Sequence, residues 1–230
     1  MNDQIPLQVR PPIGFVVEGR GEYYCYPSLV CRIVGASGFK VPRVNAGGIG
    51  SVVRNLPDQL AALVLADHPF HVIVTMDLKD VLAQALCCDC HHLKTDLEAQ
   101  ANRWMRESQG DPRLQPLPER VAIVVQVPKF ESWIIADVLG LARSGYLTTE
   151  ETSQSNVDEA VTDPARWLRE RTRPGRNQKN PRYAKEIISH LCPETMRSSS
   201  RSFDKFFREV RHSYDCWCQA AFCSGCRCVT

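Results

Sequence analysis

The chain has 230 residues, 43% hydrophobic and 23% charged. These values sit near the soluble globular average and exclude a disordered chain, a collagen and a coiled coil. With 28 Lys+Arg against 26 Asp+Glu the net charge is only +2, so any surface for nucleic acid has to be a local patch, although most of the cations are Arg, the side chain best suited to phosphate forks.

The longest apolar runs, Leu60 to Ala66 and Val121 to Val125, fall far short of the roughly 18 to 20 residues that cross a bilayer. The opening MNDQIPLQVRPP lacks the basic start and apolar core of an export signal, which makes the cytoplasm the expected location. Eleven Cys, odd in number and clustered, then point to reduced thiols, some of them open to metal, rather than to a disulfide framework.

In chain order, Ile13 to Val17 predicts a strand, followed by a turn through Glu18, Gly19, Arg20 and Gly21 and a helical pattern from Glu22. A second extended piece, Phe39 to Val44, leads through a Gly-rich turn into an amphipathic helix over Val52 to Ala66. His71 to Met76 is a β-branched apolar run ending on Asp77, and helical spacing returns over Leu93 to Glu107. Val121 to Val127 repeats the strand pattern before Lys129, Phe130 and Glu131, with helix signals from Ser132 to Leu141. Strands alternating with helices, three of them continuous apolar runs, predict an α/β fold with a buried, mostly parallel sheet.

After Gly145 the composition shifts. The expected organisation is an α/β core over 1–145 and, over 146–230, a basic loop, C-terminal helices (Tyr183 to Leu191 and Ser202 to His212) and a Cys-rich tail packed on the core.

Ligands of open parallel sheets bind beyond the carboxyl ends of the strands. That rule selects Glu18, Asp77 and Glu131, with Glu22 and Asp80 one turn further on. Converging carboxylates suit Mg²⁺ or Mn²⁺, hard cations that bridge to phosphate oxygens. The alternative is that each acid merely caps a helix N-terminus, where negative charge is favoured.

These residues also carry a resemblance. Val17-Glu18-Gly19-Arg20-Gly21-Glu22 resembles the first signature of Toprim domains, and Asp77 resembles the start of their later Asp-x-Asp signature. Phe130-Glu131-Ser132-Trp133-Ile134-Ile135-Ala136-Asp137, together with Ser200-Arg201-Ser202-Phe203 and Phe206, resembles a Toprim-like family related to the nuclease half of the overcoming-lysogenization-defect proteins, often encoded beside ABC-type ATPases in anti-phage loci. The likeness runs from about residue 13 to 212. It implies a Toprim-like sheet, Mg²⁺-dependent cleavage or nicking of nucleic acid (DNA rather than RNA) and an ATPase partner, with Glu18 as general acid/base and Asp77, Asp80 and Glu131 around the metal. One departure stands out: Lys79 occupies the second acid position of Asp-x-Asp, with Asp80 beside it. The rival expectation is therefore a Toprim-like interaction subunit that binds without cutting.

Three further clusters bear on function. Arg173, Arg176, Lys179 and Arg182, with Lys79, are candidates for nucleic-acid phosphates, the alternative being a solvated loop. Cys216, Cys218, Cys223 and Cys226 offer thiols for Zn²⁺ but lack the usual paired knuckles, which leaves unligated tail thiols as the alternative. Cys87, Cys88, Cys90, His91 and His92 are too crowded to ligate together. Phe130, Trp133, Phe203, Phe206 and Phe207 read as core. The sequence leaves the oligomeric state open.

Overall fold

A computed structural model describes residues 10–87, 89–148, 155–173 and 179–223. Four strands form one all-parallel sheet in the order β2-β1-β3-β4: β1 (Ile13–Val17), β2 (Arg43–Asn45), β3 (His71–Asp77) and β4 (Arg120–Gln126). Between them run α1 (Arg20–Val34), α2 (Ile49–Asp67), α3 (Leu78–Ala83) and α4 (Cys90–Glu107). This is the mostly parallel, helix-flanked α/β architecture expected from the sequence. β1 and β3 are buried at every position, because helices cover both faces of the sheet and no residue can face water.

The two faces have separate cores. Alternate residues Phe15, Ile73 and Val124 join α1 and the C-terminal helices, while Val16, Val74, Ile123 and Val125 pack against α2 and α4. The chain after β4 continues through α5 (Phe130–Ile135), α6 (Val138–Arg143), α7 (Val157–Ala160), α8 (Pro164–Arg171), α9 (Pro181–His190), α10 (Pro193–Ser199) and α11 (Arg201–Cys223). These helices share the first core: the Phe206 ring lies 5.0 Å from Tyr26 and 6.1 Å from Phe15. Trp133 and Phe203 are fully buried, and the Ser202 hydroxyl accepts from the Trp133 indole N–H at 2.8 Å. The aromatics of both signature segments are thus core residues.

The structure departs from the expected elements in three places. The second strand is three residues long and begins at Arg43, so most of the stretch from Phe39 is irregular. A short helix, α3, follows Asp77 directly. The expected helix over Ser132 to Leu141 is split at Ala136–Asp137 into α5 and α6. The physical reason is Asp137, whose Oδ1 accepts from Gly140 N (3.0 Å) and Oδ2 from Cys192 N (2.7 Å), so it starts a new helix and ties it to the turn before α10.

A Cβ added at Gly140 would lie 2.3 Å from Asp137 Oδ2 and 2.7 Å from the His190 carbonyl. Gly140→Ala should therefore destabilise the fold by about 1–3 kcal/mol, as overpacking does. Urea unfolding checks this, and a midpoint equal to that of the parent chain would show that the turn yields.

Candidate metal centre

Glu18 leaves the end of β1 and Asp77 is the last residue of β3. The chain moves from β1 outward to β2, then returns to the other side of β1 for β3 and β4. The sheet therefore reverses direction between β1 and β3, and the carboxyl end of this switch is where an open α/β sheet forms a crevice. Glu22, Asp80 and Glu131 enter from the first turns of α1, α3 and α5. A cavity of about 290 Å³ collects all five acids together with Lys129 and Lys179.

One carboxylate oxygen each from Glu18, Asp77 and Asp80 lies within 4.8 Å of the others. Among the described residues this is the one group of metal-ligating side chains so placed. Glu18 Oε2 accepts from the Asp77 backbone N–H at 2.9 Å, which fixes one acid against the other. Asp77 does not cap its own helix. Its Oδ1 instead accepts from the Phe130 N–H of α5 at 2.8 Å. Asp77 therefore serves the N-terminus of α5 rather than that of its own helix, and does so from within the group of acids.

Gln126 completes the floor. Strand register places it beside Asp77. With its amide oriented by its partners, the NH₂ donates to Asp77 Oδ1 (2.8 Å) and Glu22 Oε1 (3.2 Å), and its oxygen accepts from the Tyr26 hydroxyl (3.1 Å). Lys129 pairs with Asp80 at 2.5 Å, and Lys179 stands 4.0 Å from Glu131.

Five acids and three cationic residues, Lys129, Lys179 and Arg20, thus line the cavity. Burial raises the pKa of Glu18, and the neighbouring Asp80 and Glu131 charges add to it against the Asp77 N–H. Burial likewise drives Glu22 to about 7, with Glu18 and Glu131 reinforcing it. Asp77 is pushed well above the carboxylate range by burial, then by Glu22, Glu18 and Glu131. Burial works against the charge on Lys129, but the Asp80 partner and the Asp77 and Glu131 charges outweigh it and raise its pKa. Carboxyls whose ionisation is opposed by burial and then by their neighbours' charge, as in Glu18, Glu22 and Asp77, are groups that a divalent cation would help to ionise. Oxygen-only donors at a sheet edge fit a hard cation, so the acids Glu18, Asp77 and Asp80 can bind a metal ion.

A family model described as Domain of unknown function (DUF4276) matches residues 17–211. The chain belongs to this family. No curated protein and no solved structure matches the chain. The matched stretch contains every acid of the centre and ends at Arg211, before the terminal cysteines.

The other candidates lie elsewhere. The Lys79 amine turns away from the acids, donating to the Thr162 carbonyl (3.2 Å) with Asp163 at 3.9 Å; Asp80 enters the cluster in its stead. Arg173 donates its backbone N–H to the Tyr146 carbonyl, and the Arg182 guanidinium lies 5.6 Å from the Tyr183 ring. Of the loop cations, Lys179 reaches the acidic cavity; Arg176 lies outside the described residues. Cys216 contacts His212 at 3.7 Å and Cys218 is half-buried, while Cys226, Cys88 and the Cys223 side chain lie outside the described residues. His91 and His92 give their backbone N–H groups to Asp89.

Sequence reasoning missed Gln126 and the pairing role of Lys129. The signal for Gln126 was present: it is a polar residue closing a buried apolar strand, the same position that singled out Asp77. Among the described residues, no helix is long and apolar enough to cross a membrane.

Proposed function

We propose that this chain is a divalent-metal-dependent nuclease that hydrolyses phosphodiester bonds, with an ATPase subunit as its partner in an anti-phage complex. The observation that carries the reading is the convergence of Glu18, Asp77 and Asp80 within 4.8 Å at the sheet's switch point. The resemblance of the Glu18 to Glu22 and Phe130 to Asp137 segments to the nuclease half of the overcoming-lysogenization-defect proteins supports the substrate class and the partner.

Glu18, Asp77 and Asp80 would hold Mg²⁺ or Mn²⁺. When bound, such a cation supplies stabilisation of phosphoryl charge and a lowered pKa for water. Hydrolysis adds hydroxide to phosphorus and a proton to the leaving oxygen. Glu18 lines the cavity and would serve as the group that takes up or returns that proton. Gln126 holds Asp77 and Glu22 in place, and Lys129 offers positive charge at the cavity wall.

The test is cleavage of plasmid, linear and single-stranded DNA and of RNA by the purified chain, with Mg²⁺, Mn²⁺ or EDTA, alone and with a candidate ATPase. Glu18→Gln keeps an acceptor for the Asp77 N–H and should lower the rate by about 10²- to 10⁴-fold. Cutting that survives EDTA, or that Glu18→Gln leaves untouched, overturns the assignment. A second reading, binding without cleavage, draws on Lys79 in the second acid position and on Asp80 being paired to Lys129. Silence on every substrate, with no metal bound, would favour it.

A further inference from the structure

A second cavity, of about 720 Å³, is separate from the acidic one. It opens along β4, which is the edge strand of the sheet, between the start of α4 on one side and the start of α11 on the other. Val125 and Val127 form its floor. The walls are cationic: Lys94 from α4 faces Arg201, Lys205 and Arg208 from α11, with Arg197 of α10 beside them.

The acids of this cleft are largely committed. Asp158 accepts from the Ser200 hydroxyl (2.6 Å) and Ser202 N–H (2.8 Å), closing the start of α11. Asp204 is shared by Arg197 (2.9 Å) and Arg208 (3.0 Å). Lys94 pairs with Glu98 at 3.3 Å; Glu159 also lines the cleft. Lys205 has Lys94 as its facing neighbour: burial, then the Lys94 charge, lowers its pKa against the opposing pull of Glu209 and Glu98. Two like charges brought together from opposite walls over a half-buried floor are what an anion between them would relieve.

The two cavities are neighbours along the chain: Val127 lines the cleft and Lys129, two residues on, lines the acidic cavity.

We infer that the β4-edge cleft holds the phosphodiester backbone of a single nucleic-acid strand and leads it to the carboxylates of the metal centre. This deepens the nuclease reading and rests on it for the class of ligand. A cavity of this volume is of small-ligand size, which suits a short stretch of one strand, and its Lys and Arg without Trp, Tyr or Phe favour phosphate over base. An acidic protein segment would meet the same charges, but would give no role to a wall that continues from Val127 into the carboxylate cavity at Lys129.

The test is fluorescence anisotropy of a labelled mixed-sequence single-stranded oligonucleotide with the full chain in EDTA, so that binding is read without cleavage. The double variant Lys94→Gln/Lys205→Gln should bind about tenfold more weakly and lose about 1.4 from the log–log salt slope, the share of two phosphate contacts. Arg201→Gln, at the exposed rim, should lose about 0.7, which keeps the test valid if the double variant unfolds. Arg113→Gln, distant and paired to Asp111, should bind as the parent does. Unchanged slopes in both cleft variants, or tighter binding of a polyglutamate peptide than of the oligonucleotide, would overturn the inference while leaving metal-dependent cleavage standing. Loss of cleavage in Glu18→Gln with intact cleft binding would keep the two readings apart.

Discussion

Asp77→Asn is expected to abolish metal-linked stabilisation while making the metal-free protein more stable. Asp77 is buried in the cluster, and its Oδ1 is already anchored by Phe130 N and Gln126. Asn preserves the shape and that acceptor but removes a charge held beside Glu18, Glu22 and Glu131. A parent chain at a metal concentration one hundred times its Kd gains about 2.7 kcal/mol, and a hundredfold loss of affinity cuts that gain to about 0.4 kcal/mol. Losses of this size follow removal of even supporting groups around a metal. Thermal unfolding with and without Mn²⁺ reads both effects. A variant that still gains the full shift with Mn²⁺, or whose metal-free form is less stable than the parent, would show that Asp77 is a structural cap for α5 and no ligand.

The second large effect is on pH. Glu22 titrates near 7 in the folded chain against 4.5 ordinarily, so between these values the folded state carries a proton that the unfolded state has lost. Its contribution to stability is fully present below about 4.5 and disappears as pH rises through about 7. The difference amounts to about 3 kcal/mol at 1.36 kcal/mol per unit. Glu18 and Asp77 are raised too and act in the same direction. In EDTA, urea unfolding should therefore show stability falling from pH 5 to pH 8, counter to the usual behaviour of salt-bridged carboxylates. Glu22→Gln should flatten part of that slope, and Mn²⁺ at pH 8 should restore what the rise in pH removed. Stability that climbs over this interval in EDTA would falsify the picture of a repulsive acidic cluster.

Both expectations depend on residues separated by up to 113 positions, from Glu18 to Glu131. How much of that was legible can be judged residue by residue. Glu18 and Asp77 were readable because each closes a continuous apolar run, and a strand buried on both faces can change to a charged residue only where it leaves the sheet. Trp133 and Phe206 were readable as core because their neighbours repeat at helical spacing. Asp80 was readable only as an acid one turn beyond a strand end, since its reach into the cluster depends on how α3 turns after Asp77. Lys79 looked like a phosphate contact; its amine reaches Thr162 and Asp163 instead, a contact across 83 residues that local pattern does not encode.

The sequence by itself determined the alternation of strand and helix, the burial of the sheet on both faces, the location of the acids at strand ends and the short reach of its apolar runs. These follow from period and composition, which are local. Tertiary structure alone decided the strand order β2-β1-β3-β4, which puts β1 and β3 side by side and so brings Glu18 to the backbone of Asp77. It also broke the helix at Asp137, added Gln126 beneath the acids, and opened a basic cleft between α4 and α11 along the free edge of β4. Strand order and helix packing are settled by long-range burial of two apolar faces at once, and no short window of sequence contains both partners of those contacts.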